Sequence, residues 1–177
     1  MEKESKTDDS YELKFVKAVY DACSDKGTRA KLRRADNPNT EYECWDFLIR
    51  NGIYIEKDYE RLPAALIAAS IARSKTEENG SSKFPVALAK SYPDGSNSDS
   101  ACMKMRRICA CDSVEELVTV LRPLIGLVES RASGIDYEDL YKFLRKFRYE
   151  DSRQSQKARW FTAFYHSDDD AEEGEQP

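Results

Sequence analysis

The chain is poor in the groups that carry chemistry. Its one histidine is His166, placed beside a run of acids where a helix end would fray, and a base there cannot be held rigidly against a substrate. No glycine-rich phosphate loop occurs, which removes the nucleotide-hydrolysing folds built on one. Five cysteines (Cys23, Cys44, Cys102, Cys109 and Cys111) are an odd number. With no apolar leader ahead of them, they are expected to be reduced thiols in a cytoplasm. Cys109 and Cys111 lie two apart, point different ways on a helix and lack a second pair to complete a tetrahedral zinc site. Asp168, Asp169 and Asp170 lack the glycine and later glutamate of a calcium loop. The longest apolar stretch, Leu62 to Ala72, is interrupted by Ser70 and too short to span a bilayer. The reading is therefore of a protein with no catalytic residues, no cofactor, no metal and no membrane role.

Strand signals are scarce too. The Asn-Gly pairs at Asn51 and Asn79 are flanked by helical patterns rather than by alternating strands. What is present is helical punctuation, and the fold class is all-α. The spacing of Tyr11, Phe15, Val19 and Ala22 predicts a helix from Ser10 to about Ser24, with Gly27 ending the turn after it. Thr28 is expected to cap a short helix to Ala35, and Thr40 with Glu43 to form a capping box for a helix burying Trp45, Leu48 and Ile49. A core helix follows from Asp58 to Arg73, carrying Pro63 in its first turns. Pro85 to Ser91 forms a short helix, and Cys102, Met105, Ile108 and Cys109 mark the buried side of another. Ser113 with Glu116 opens a helix to about Arg131, kinked at Pro123. Asp136 and Asp151 are expected to cap the last two, the first with Leu140, Phe143, Leu144 and Phe147 on one face and the second carrying Trp160, Phe161, Phe164 and Tyr165. The polar stretch Ser74 to Lys83 divides the chain into two small helical lobes, residues 1–80 and 81–167, followed by a disordered acidic tail, 168–177.

Apolar residues make up 40% of the chain and charged residues 34%, enough hydrophobicity to fold. The formal net charge of −5 is unevenly spread. Residues 168–177 hold six acids and no base, and residues 1–10 are also net acidic, so the part between them is mildly basic. Between Gly27 and Pro38 stand Arg29, Lys31, Arg33 and Arg34 against Asp36 alone, a density that suits phosphate. Lys142, Arg145 and Lys146 share a helix face at i, i+3 and i+4, and Arg153 and Lys157 continue the basic run. Tyr141 and Tyr149 are interleaved and suit base stacking or packing equally. A helical module whose basic faces bind acidic protein partners is the alternative.

The run from Gly27 through Leu32, Arg33 and Arg34 to Ala35, with Pro38 after it, resembles the CasB family, the small subunit of the type I-E CRISPR surveillance complex Cascade. Asp112, the segment Leu121 to Leu124, Ile135 to Tyr137 and the run Lys157 to Tyr165 follow in that family's order. The resemblance covers about residues 11–166, and it departs from the family at Pro123, where a second arginine is common. It implies a two-lobed helical protein without nuclease activity, bound to other Cascade subunits and to a second copy of itself. It further implies contact with CRISPR RNA and target DNA, chiefly with the strand displaced as the guide pairs with its target. Arg61, Arg107 and Arg122 complete the expected nucleic-acid-binding set.

Overall fold

In the computed structural model, residues 9–132 and 134–167 are described, and among them the only regular elements are helices. The expected acidic tail, 168–177, lies outside the described residues. Among the described residues nine α-helices follow in chain order: α1 Tyr11–Ala22, α2 Lys26–Leu32, α3 Trp45–Arg50, α4 Asp58–Arg73, α5 Phe84–Lys90, α6 Asp99–Cys109, α7 Val114–Arg131, α8 Tyr137–Phe147 and α9 Glu150–Tyr165. Short 3₁₀ turns at Glu41–Cys44 and Gly95–Asn97 precede α3 and α6.

Several starts follow from capping chemistry. Ser10 Oγ accepts from the Leu13 amide at 3.1 Å, and Ser113 Oγ accepts from Glu116 at 3.1 Å. The Glu116 carboxylate reaches back to the amide of Asp112 at 3.0 Å, one residue before the expected partner. Asp136 caps α8 through the amides of Glu138 and Asp139. Elsewhere local chemistry differs from expectation. Asp25, not Thr28, caps α2, accepting from the Thr28 amide at 2.7 Å, so Gly27 lies inside the helix. Thr40 caps nothing: its hydroxyl donates to the Arg34 carbonyl at 3.1 Å, and Glu43 pairs with Arg34 at 2.5 Å. Ile49 points outward, 55% exposed. Tyr149, not Asp151, precedes α9.

The centre of the molecule is α4. Ten successive residues, Pro63 to Ala72, are buried on every side, as a core helix requires. Small alanines let α1, α2, α7 and α8 approach it closely, and α5 and α9 pack together beside α8. There Trp160 stacks on Phe143 with ring centroids 3.6 Å apart and on Phe84 at 5.5 Å. The buried apolar side chains form one cluster with members on both sides of position 80.

The polar stretch after α4 is bonded to the start of α8. Gly80 N donates to Ile135 O at 3.1 Å, Ser82 N to Gly134 O at 3.0 Å and Asp136 N to Ser82 O at 2.8 Å. Asn79 adds both ends of its amide, donating to Asp136 Oδ1 and accepting from Tyr137 N, each at 2.8 Å. These groups satisfy backbone donors and acceptors that no helix or strand would otherwise pair.

Candidate nucleic-acid interface

A helix ends with carbonyls that have no intrahelical partner and a partial negative charge, so it attracts cations. The C-terminus of α4 gathers Arg29 and Arg33 in this way. Arg29 Nε donates to Ala72 O at 3.0 Å and its Nη2 to Ser74 O at 2.7 Å, while Arg33 Nε donates to Ala72 O at 3.1 Å. In return Arg73 Nε donates to Arg33 O at 3.1 Å. Asp36, with only 5% of its side chain exposed, pairs with Arg73 through one oxygen and stands 3.4 Å from Arg122 Nε through the other. The segment after α2, the end of α4 and α7 therefore meet at Asp36, whose carboxylate pairs with Arg73 and Arg122, while Arg29 and Arg33 hold the neighbouring carbonyls.

The geometry leaves binding capacity. A guanidinium has five N–H donors. Arg33 donates through Nε and Arg122 stands with its Nε against Asp36, and 42% of the Arg73 side chain and 37% of that of Arg122 remain exposed. Side chains pinned at the root lose less entropy when an anion arrives. Lys31 is exposed nearby on α2. Arg73 was missed at the sequence level because it is an isolated base at a helix end, and only the fold brings it to Arg33 and Asp36.

The other expected contacts are mostly engaged within the chain. Arg34 pairs with Glu43. Arg61 is largely enclosed, bonded to Asp58 at 2.7 Å, to Ile55 O at 2.5 Å and near Glu41 at 3.6 Å, where it ties the 3₁₀ turn to the start of α4. Lys142 pairs with Glu138 at 2.5 Å, and Arg145 with Glu12 while lying 4.3 Å over the Tyr11 ring. Arg148 pairs with Glu60 at 3.3 Å and lies over the rings of Tyr59 and Tyr149. Arg153 Nε donates to Phe147 O at 3.1 Å. Lys157 is buried, its ammonium 3.1 Å from Asp112. Lys146 and Arg107 are exposed, Arg107 beside Lys104 and Met103 in a groove between α6 and α7. The stripe at Arg145 and Arg148 is thus largely neutralised by Glu12 and Glu60, whereas the α4 terminus retains an excess of positive charge.

Other chemistry finds little support. Burial pushes up the thiols of Cys23, Cys109 and Cys111, and that of Cys44 to about 11, away from the thiolate form that reacts. Among the described residues, no group of three or more His, Cys, Asp or Glu side chains converges to hold a metal ion. No helix there is long and apolar enough to cross a membrane.

Residues 28–165 match the family of the CRISPR-associated protein Cse2. The fold is similar to the crystal structure of CasB from Thermobifida fusca, with a TM-score of 0.66 at 15% identity over 88% of this chain and 98% of that one. No curated protein matches the sequence.

Proposed function

The chain belongs to the CRISPR-associated protein Cse2 family, and on that footing we propose that it is a non-catalytic subunit of the RNA-guided surveillance complex Cascade that holds the displaced strand of opened target DNA. The observation that carries this reading is the gathering of Arg29 and Arg33 on the carbonyls that end α4 and of Arg73 and Arg122 on the adjoining carboxylate of Asp36. Such a cluster suits a phosphate backbone, which needs pre-set cationic forks and no base-specific contact. Exchange of a DNA duplex for a guide–target heteroduplex is nearly balanced in energy, so contacts to the displaced strand can decide how long the duplex stays open.

The Arg145 and Arg148 stripe suits a different role. Neutralised by Glu12 and Glu60 and interleaved with exposed Tyr11, Tyr59 and Tyr149, it has the tyrosine- and arginine-rich composition of protein contacts. This face is proposed to meet other subunits of the complex.

The test is single-stranded DNA binding by the purified chain over a series of salt concentrations. Replacing Lys31 and Arg122 together with Ala should reduce the slope of log affinity against log salt by about one to two units. Replacing Lys146 alone should leave it nearly unchanged. Equal effects at the two places would assign phosphate binding to no particular cluster and defeat the reading.

A further inference from the structure

Beside the arginine cluster, a groove of about 400 Å³ opens between the last turn of α4 and the C-terminal part of α7. That is within the roughly 300–1,000 Å³ range of small-molecule sites. Its cations are Arg73 and Lys75. Arg73 uses Nε and Nη2 on Arg33 and Asp36, which leaves Nη1 for a ligand. Thr76 also lines it, fixed by Tyr20 at 3.2 Å and Ser74 at 3.1 Å.

Gly126 lies in the groove, in the interior of the 18-residue helix α7. After proline, glycine is the poorest helix former. Packing does not require it, since a β-carbon built there meets no atom within 4 Å. Backbone shape does not require it either, because its φ is not positive. What a glycine provides at such a place is room for something to lie against the helix backbone. One turn on, Glu129 accepts from the Tyr137 hydroxyl at 2.9 Å and lines the same groove, an acceptor for an amino group.

We propose that the groove seats one unstacked nucleotide of bound single-stranded DNA, with its phosphate on Arg73 and Lys75 and its base over Gly126. The inference rests on the nucleic-acid reading of the adjoining cluster. Beyond gripping phosphates, the cluster then has a second role, drawing one base out of the strand. Glu129 suits bases that carry an exocyclic amino group, namely adenine, cytosine and guanine. Among the described residues no aromatic ring lines the groove, so a base entering it leaves its stack without joining another.

The test uses the full chain and an oligo-dA strand with 2-aminopurine at one internal position, a probe that brightens when it unstacks. Saturating protein should raise its fluorescence several-fold. Gly126→Leu fills the groove without touching a charge, and should keep the affinity and its salt slope while losing the rise. Ser130→Leu, one turn along on the same wall, serves as a second block should Gly126→Leu lose helicity. A rise that survives in a folded blocking variant, or tight salt-dependent binding with no rise in the native protein, overturns the groove alone. Absence of any salt-dependent binding overturns the nucleic-acid reading and the groove with it.

Discussion

Gly80 lies so close to Gly134 that a β-carbon on it would overlap the Gly134 carbonyl group. The contact is backbone on backbone, so no side chain can swing away to make room. Gly80→Ala should therefore lower stability by about 2 to 3 kcal/mol through overpacking. It should shift the thermal midpoint down by about 4 to 12 °C for a chain of this size. Differential scanning calorimetry checks this, and an unshifted midpoint would mean the two segments separate freely.

Arg29 is expected to be a structural arginine first. Its two bonds reach carbonyls at the end of α4, Ala72 O, which Arg33 also bonds, and Ser74 O. Arg29→Ala should cost about 1 to 2 kcal/mol, at the lower part of the range for charged hydrogen bonds because the site is partly open to water. Lys31→Ala, on the exposed face, should stay within about 0.5 kcal/mol. Urea denaturation of both variants separates them, and equal midpoints would show that the Arg29 bonds add nothing.

Arg33→Ala combined with Arg122→Ala should shorten the life of an opened duplex in the assembled complex. A loss of about 1 to 2 kcal/mol of phosphate contact corresponds to a change of roughly 5- to 30-fold. The effect should be alike for every target sequence, since backbone contacts read none. Measured at two salt concentrations, an unchanged lifetime with normal incorporation would show that this cluster does not hold the displaced strand.

Glu129 carries a pH dependence whose sign follows from its burial. Desolvation raises its pKa above the ordinary 4.5, against the opposing bond from Tyr137. The native state then binds the proton more tightly than the unfolded chain does. This group favours the fold at pH values below 4.5, and the advantage disappears as pH rises from there through the raised value. Glu129→Gln should flatten that part of the stability–pH curve. Melting curves between pH 4 and pH 7 check it, and parallel curves for both proteins would show that the group has no linkage to folding.

Removing residues 168–177 deletes six acidic side chains and no basic one. Truncation after Ser167 should leave helicity and melting unchanged and tighten DNA binding, because a local anion competes with phosphate for the basic face. Binding assays at low and moderate salt test it, and weakened affinity would make the acidic segment part of the site.

Much of the helical plan was legible because it rests on neighbours in sequence. Ser10, Ser113 and Asp136 cap the helices their spacing indicates, and the alanine-rich run of α4 is buried as such a run should be. Thr40 with Glu43 shows the same pattern without the structure, because Arg34, nearby in space, takes the Glu43 carboxylate. The site was legible only in composition. That Arg29 and Arg33 would meet the end of α4, or that Glu12 and Glu60 would neutralise Arg145 and Arg148, depends on pairs separated by 39 to 133 positions. No local pattern records such pairs.

The all-round burial of α4 bears on how the protein is made. A ribosome delivers this helix before α7 and α8 exist, at about 5 to 20 residues per second. For several seconds its apolar surface has only α1 to α3 to lie against. The nascent chain therefore carries that apolar surface uncovered during the interval, and slow translation just after residue 73 would prolong its exposure.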